Sequence, residues 1–151
     1  MRITPKIEVF LDSSALIAGI VSASDAARAL LLLAEDQKIS LIVSEQVIVE
    51  VERNLARKAP KTLRFARQII LHAKIRILRD PTLELVIEHL HWISHPADVP
   101  ILVAAAGAEV SYLATLNTHH FLDDPEVAQR SGLHIGTPGD VLSWVRERLA
   151  Q

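Results

Sequence analysis

Four residues with oxygen donors stand where chemistry could be done: Asp12 in VFLDSSALIAG, Glu50 in SEQVIVEVERNL, Asp98 in HPADVPILVAAAG and Asn117 in LATLNTHHF. A hard dication such as Mg2+ needs a few convergent oxygens and keeps several of its waters, and three dispersed carboxylates with one amide oxygen would supply such a set. Each residue also has an ordinary structural reading. Asp12 and Asp98 precede apolar helical patterns and can cap them, Glu50 can be a helix-surface acid, and Asn117 can be a turn residue. At the start of the first helix, Ser13 or Ser14 can satisfy the orphan N–H groups, leaving Asp12 free to turn its carboxylate into a site.

The elements that must position these residues alternate along the chain. Ile7–Leu11 reads as a buried strand followed by a helix from about Ser13, and Ala26–Ala34 is an Ala/Leu-rich helix. Ile39–Val43 is a second strand, Ser44 caps a helix over Glu45 to Lys58, and Pro60 opens another. Ile75–Leu78 is a third apolar run, and Asp80-Pro81 starts a helical stretch towards Trp92. A helix follows Asp98, with Pro100 in its first turn and Gly107 at its end. Tyr112–Leu116 and Leu133–Ile135 complete five strands, and Pro138 to Leu149 is a terminal helix.

Strand and helix alternating in this way predict an α/β fold, a three-layer α/β/α arrangement around a parallel sheet of about five strands. In such sheets ligands bind beyond the carboxyl ends of the strands, which is where Asp12, Asp98 and Asn117 would fall. Glu50 would lie on the helix after the second strand, beside Val47, Val51 and Asn54, although Glu52 has a similar claim by periodicity.

A chain of 151 residues, 50% hydrophobic and 23% charged, suits one domain spanning residues 1–151. The absence of Cys excludes disulfides and thiolate zinc sites and points to a cytoplasmic protein. Met1 to Lys6 carries two basic residues, but Glu8 and Asp12 interrupt the apolar run that follows, which argues against a secretory leader and a membrane span.

Charge is unevenly placed. Arg53, Arg57, Lys58, Lys61, Arg64, Arg67, Lys74, Arg76 and Arg79 form a block without a single carboxylate, and all 18 Asp and Glu residues lie outside it. Such a block is either a solvated face or a surface that meets phosphates or an acidic partner.

Taken together, FLDSSALIAG, SEQVIVEVERNL, HPADVPILVAAAGAEVSYLATLNTHHF and GTPGDVL resemble the PIN domain family, which includes the ribonuclease toxins of bacterial and archaeal toxin–antitoxin pairs. The resemblance implies that Asp12, Glu50 and Asp98 bind Mg2+ or Mn2+. Many members carry a further aspartate where this chain has Asn117, in a T-x-D pattern that here reads Thr115-Leu116-Asn117. Asn117 then supports the metal or its water with one negative charge fewer, and Asp123 and Asp124 are the nearby acids that could compensate.

What the resemblance implies is a metal-dependent endoribonuclease in which activated water attacks the phosphodiester phosphorus, so that no nucleophilic side chain is required. Ser13 and Ser14 would contact phosphate or orient the ligands, and Thr115 would orient its neighbours. The basic block would offset the repulsion between clustered acids and RNA. Arg57, Lys61 and Arg64 share one face if the helix runs through Pro60, and Arg64 with Arg67 does so in any case. The family also implies a small antitoxin partner and a homodimer.

Two rivals come from other classes. A phosphotransferase using Asp12 as nucleophile would carry a second Asp at the position held by Ser14. A non-catalytic PIN-like module would bind RNA or a protein through the basic block. His91 and His95 at i, i+4 could hold a transition metal on one helix face but read more simply as surface or capping residues, and His119 and His120 lie close enough to Asn117 to touch substrate. Trp92, Trp144 and the Ala26–Ala34 helix read as core or dimer surface.

Overall fold

The computed structural model describes residues 6–151, so the segment read above for a leader, Met1 to Lys6, lies outside it apart from Lys6. Five short strands, β1 (Glu8–Leu11), β2 (Ser40–Ser44), β3 (Arg76–Leu78), β4 (Tyr112–Ala114) and β5 (Ile135–Gly136), form one parallel sheet in the order β3-β2-β1-β4-β5. The expected three-layer α/β/α arrangement is present. Strand order reverses between β1 and β4, and the carboxyl ends at such a switch point are where open α/β sheets bind ligands.

Nine α-helices among the described residues cover the sheet: α1 (Ser13–Val21), α2 (Ala26–Glu35), α3 (Glu45–Lys58), α4 (Leu63–His72), α5 (Leu83–Glu88), α6 (Val99–Gly107), α7 (Thr118–Phe121), α8 (Glu126–Ser131) and α9 (Pro138–Leu149). The sheet extends from β1 through β2 to β3 on one side and through β4 to β5 on the other, an order that places the two sets of connections on opposite faces when crossovers take their usual right hand. Helix α1 packs on α2, α3 and α4, and α9 on α2, whereas α6 packs on α5 and α8 and also touches α3. No single helix among the described residues is long and apolar enough to cross a membrane.

The strands are apolar because both faces are covered: Val9, Phe10, Leu11, Leu41, Ile42, Val43 and Leu113 are buried. Helix α6 is buried almost all round through Val99, Ile101, Leu102 and Val103, which explains its near-continuous apolar sequence. Trp92 and Trp144 are partly buried against this core. Helices α1 and α2 approach closely at Gly19, where a Cβ would come within 2.7 Å of Leu31 Cδ1 and 3.2 Å of the Ala27 backbone.

The helix after β2 has the bounds read from the sequence, Glu45–Lys58, and does not run through Pro60: Ala59 turns to φ −150°, ψ 61°, and a 3-10 turn over Pro60–Thr62 leads into α4. Proline bars helical geometry in the residue before it. Arg57, Lys61 and Arg64 therefore lie on three successive elements and not on one helical face, although Arg64 and Arg67 do share α4. The stretch towards Trp92 is helical only over α5 and then a 3-10 turn, Leu90–Trp92, and His95 falls beyond both, so His91 and His95 do not share a helix. Strand β5 sits slightly later than expected because its ladder pairs Ala114 with Gly136.

Candidate active site

Asp12 follows β1 directly, and its backbone N–H extends the sheet ladder by donating to the Ala114 carbonyl at 3.2 Å. Its side chain is 3% exposed. Oδ1 accepts from Ser14 Oγ at 2.7 Å and from Ala15 N at 2.9 Å, while Oδ2 accepts from the Thr115 hydroxyl. The cap of α1 is thus Asp12 itself, which corrects the expectation that Ser13 or Ser14 would take that role. A carboxylate has about four lone-pair sites, so capping and a further bond from Oδ2 are compatible.

Around Asp12 the hydroxyls are committed to tying β1 to β4. Ser14 Oγ accepts from Leu116 N at 2.9 Å, and Thr115 Oγ1 accepts from Asn117 N at 2.9 Å. Thr115 is fully buried, and Ser13 is half-buried at the start of α1. These bonds hold both turns at the switch point in one arrangement.

Burial raises the carboxyl of Asp12 above its ordinary value, because removing its charge from water is costly. Hydrogen bonds from Thr115, Ser14 and Ala15 oppose that rise, and the nearby charge of Asp98 adds to it. Among the described residues Asp12 has no ion-pair partner. A buried carboxylate that feels the charge of a second carboxylate and has no ion-pair partner among the described residues is a donor set that a divalent ion would complete, so the residues fit such an ion.

Asp98 ends a 3-10 turn, Pro96–Asp98, at the head of α6. It makes no side-chain capping bond there. Its Oδ2 lies 2.7 Å from His120 Nδ1, which also lies 2.9 Å from Asn117 Nδ2. Asn117 in turn caps α7 by accepting from His120 N at 3.4 Å. Glu50 projects from the second turn of α3, where Gln46 Nε2 donates to its Oε2 at 3.3 Å and to the Ala97 carbonyl at 2.8 Å. One glutamine therefore links Glu50 to the turn that carries Asp98.

The hydrogen-bonded chain runs from Asp98 through His120, Asn117 and Thr115 to Asp12, with Glu50 reaching the same turn through Gln46. Within 4.8 Å of one another, however, the ligand atoms gathered among the described residues are those of His95, Asp98 and His120, and not of the three carboxylates. His95 stacks on His120, with centroids 3.4 Å apart and planes at 12°. Its Nδ1 is buried without a hydrogen-bond partner among the described residues. Sequence reasoning left His95 out of the site. The available signals were Pro96, which holds His95 extended at φ −97°, ψ 107°, and an Asn117 cap, which brings His120 back over its own helix start.

The other candidates lie apart. Asp123 accepts from His119 Nδ1 at 2.9 Å, and Asp124 accepts from Glu126 N at 3.0 Å and meets Arg130 Nη1 at 3.5 Å, so both are engaged locally. Arg57, Lys61 and Arg64 are exposed, as is the whole basic block, and within it Arg67 pairs with Glu52 and Arg76 with Glu8. An apolar groove of about 680 Å³ lined by Leu78, Leu85, Trp92, Val103 and Gly107 touches none of the site residues.

No curated protein matches this sequence. Among solved structures, the fold is similar to VapBC2 from Rickettsia felis bound to a DNA fragment from its promoter, with TM-score 0.62 and 19% identity over 87% of this chain and 98% of that one. It is similar to PAE2754 from Pyrobaculum aerophilum, with TM-score 0.62 and 19% identity over 96% and 97%. A third similar structure is Mycobacterium tuberculosis VapC20, a sarcin-ricin loop cleaving toxin, with TM-score 0.54 and 17% identity over 73% and 90%. At such identities the likeness speaks to the fold alone. The sequence model of the PIN domain matches residues 8–119, most of the chain and every acid of the site, and the chain belongs to the PIN domain family.

Proposed function

We propose that this chain, as one domain over residues 1–151, is a divalent-metal-dependent endoribonuclease and the toxin of a type II toxin–antitoxin pair. In this reading it acts in the cytoplasm, cuts RNA, forms a homodimer and is neutralised by a small antitoxin protein. The observation that carries the reading is Asp12, a buried carboxylate pinned at the β1–β4 switch point, within the influence of the Asp98 charge and without an ion-pair partner among the described residues. Asp12, Glu50 and Asp98 would hold Mg2+ or Mn2+, with Asn117 in support. When bound, such an ion supplies activation of water and stabilisation of charge on the departing oxygen.

The chain's own residues supply the positioning. Thr115 and Ser14 fix the two oxygens of Asp12, and Gln46 fixes Glu50 against the Ala97 carbonyl. Ser13 would hydrogen-bond a phosphate, and the exposed Arg57, Lys61 and Arg64 would draw the RNA backbone towards an otherwise acidic site. RNA as substrate is supported by the VapC20 neighbour, a sarcin-ricin loop cleaving toxin, and an antitoxin partner by the VapBC2 complex.

The test is cleavage of single-stranded RNA with and without Mg2+ or Mn2+, comparing the wild type with Asp98→Asn purified side by side. Activity that needs the ion and is lost in Asp98→Asn is expected. Equal cleavage by the two proteins would remove the metal-site assignment, and a protein that binds RNA without cutting it or taking up metal would be a non-catalytic PIN module. Growth arrest on expression, relieved by a small adjacent gene product, tests the toxin role separately.

A further inference from the structure

The geometry points to His95 and His120 joining Asp98 as ligands of a first-row transition dication of the imidazole-favouring class, such as Zn2+, Co2+ or Fe2+, in preference to Mg2+. This rests on the reading of the β1–β4 switch point as a metal site and changes which ion that site selects. One ligand atom from each of the three residues lies within 4.8 Å of the other two. Ligands at about 2.0–2.2 Å from a common ion stand some 3.4 Å apart, so side-chain torsions need to bring no pair of these atoms closer by more than about 1.4 Å.

Two features of the histidines favour this. The Nδ1 of His95 is buried with no hydrogen-bond partner among the described residues, and a buried polar atom left unpaired is a cost that a bound ion would remove. The Nδ1 of His120 faces both Asp98 Oδ2 at 2.7 Å and Asn117 Nδ2 at 2.9 Å. A ring nitrogen carries either a proton or a lone pair, so it can donate to the carboxylate or accept from the amide but not both. One of its two close contacts is therefore not a hydrogen bond.

Stacking at 3.4 Å sets the two imidazoles side by side. Sharing an ion requires their planes to splay so that the lone pairs converge, a rotation about terminal torsions whose wells are broad. The resulting donors are two nitrogens and one carboxylate oxygen, with positions left open for water or a phosphate oxygen. Imidazole suits Zn, Fe, Cu and Ni, whereas Mg2+ demands oxygen and gains little from nitrogen; Mn2+ lies between.

The experiment uses untagged full-length protein, stripped with chelator and titrated with Co2+ while its visible d–d bands are followed. Saturation at one ion per chain is expected, with bands displaced by Zn2+ but retained in a roughly hundredfold excess of Mg2+. His95→Ala and His120→Ala should each weaken Co2+ binding at least about tenfold, while His91→Ala, an exposed histidine outside the group, leaves it unchanged. Circular dichroism establishes that each variant is folded. Should His120→Ala unfold, His120→Gln replaces it, and the ring-nitrogen NMR shifts of wild-type protein with Zn2+ report ligation directly.

Co2+ affinity that is the same in wild type and both histidine variants overturns the inference, as does displacement of Co2+ by equimolar Mg2+. Imidazole-dependent Co2+ binding without RNA cleavage keeps this inference and removes the nuclease reading. Mg2+-supported cleavage without imidazole-dependent bands does the reverse.

Discussion

Thr115 donates its hydroxyl to Oδ2 of Asp12, a residue 103 positions earlier, and the same hydroxyl accepts from the backbone of Asn117 at 2.9 Å. One side chain thus joins the end of β1 to the end of β4, the two strands between which the sheet order reverses. Thr115→Val keeps the shape and deletes the bond. It leaves a buried carboxylate oxygen short of a donor and should lower unfolding free energy by about 1–3 kcal/mol. Thr115→Ser keeps the hydroxyl and should lose less than about half of that. Urea unfolding of the three proteins measures the difference, and a Val variant as stable as wild type would show that the bond contributes nothing.

Asp12 also predicts a pH dependence. Burial raises its carboxyl in the folded state above the ordinary value of 3.8, so the native protein holds this proton more tightly than the unfolded chain does. Stability contributed by that proton is fully present below the unfolded value and declines as pH rises towards the raised folded one. Asp12→Asn keeps the α1 cap, since Asn caps as well as Asp, and carries no titrating charge. The stability of Asp12→Asn relative to wild type should therefore grow as pH rises through that window and level off above it. Urea unfolding in metal-free buffers across the acid range reads this directly; a constant difference would mean that Asp12 is not desolvated.

Asn117→Asp tests the missing negative charge. The cap of α7 survives, because Asp accepts the His120 N–H as Asn does. A carboxylate is added beside Asp98 and His120, so divalent-ion affinity should rise about tenfold, read by calorimetry with Mn2+. Without metal the added like charge should destabilise the fold, and saturating Mn2+ should return stability in proportion to the logarithm of its excess over Kd. Unchanged Mn2+ affinity would place Asn117 outside the metal's reach.

What the residue pattern disclosed and what it hid divide along a physical line. The order of strands and helices was legible because it is written in local signals: Asp12, Ser44 and Thr137 cap helices, and the runs around Phe10, Ile42 and Leu113 are buried on both faces. The strand-end positions of Asp12 and Asn117 follow from the same signals. The meeting of His95 with His120 does not, because it depends on how the Pro96–Asp98 turn and α7 lie across the sheet end, which is a tertiary fact. That Asp12 caps α1 itself was hidden for another reason. Capping and ligation were weighed as alternatives for one carboxylate that has lone pairs for both. The break at Ala59 was legible, since the helix was read to end at Lys58 before Pro60, and that break divides the basic block among α3, a 3-10 turn and α4.

That division bears on how the basic block would meet RNA. Arg57, Lys61 and Arg64 are all exposed, and none of them forms an ion pair among the described residues. Placed on three successive elements, they can contact separate phosphates, whereas a single helical face would present them as one row. Each phosphate contact made on single-stranded RNA adds about 0.7 to the slope of log affinity against log salt. Combining Arg57→Ala, Lys61→Ala and Arg64→Ala in the Asp98→Asn background, where RNA is expected to stay intact, should flatten that slope by about 2 if all three make contact. Stability should stay within about 0.5 kcal/mol, because none of the three is buried or paired. Fluorescence anisotropy with labelled RNA across a salt series gives the slope. An unchanged slope with weaker binding at every salt concentration would mean that the three act on RNA through local structure and not through phosphate charge, and an unchanged affinity would leave the block as a solvated face.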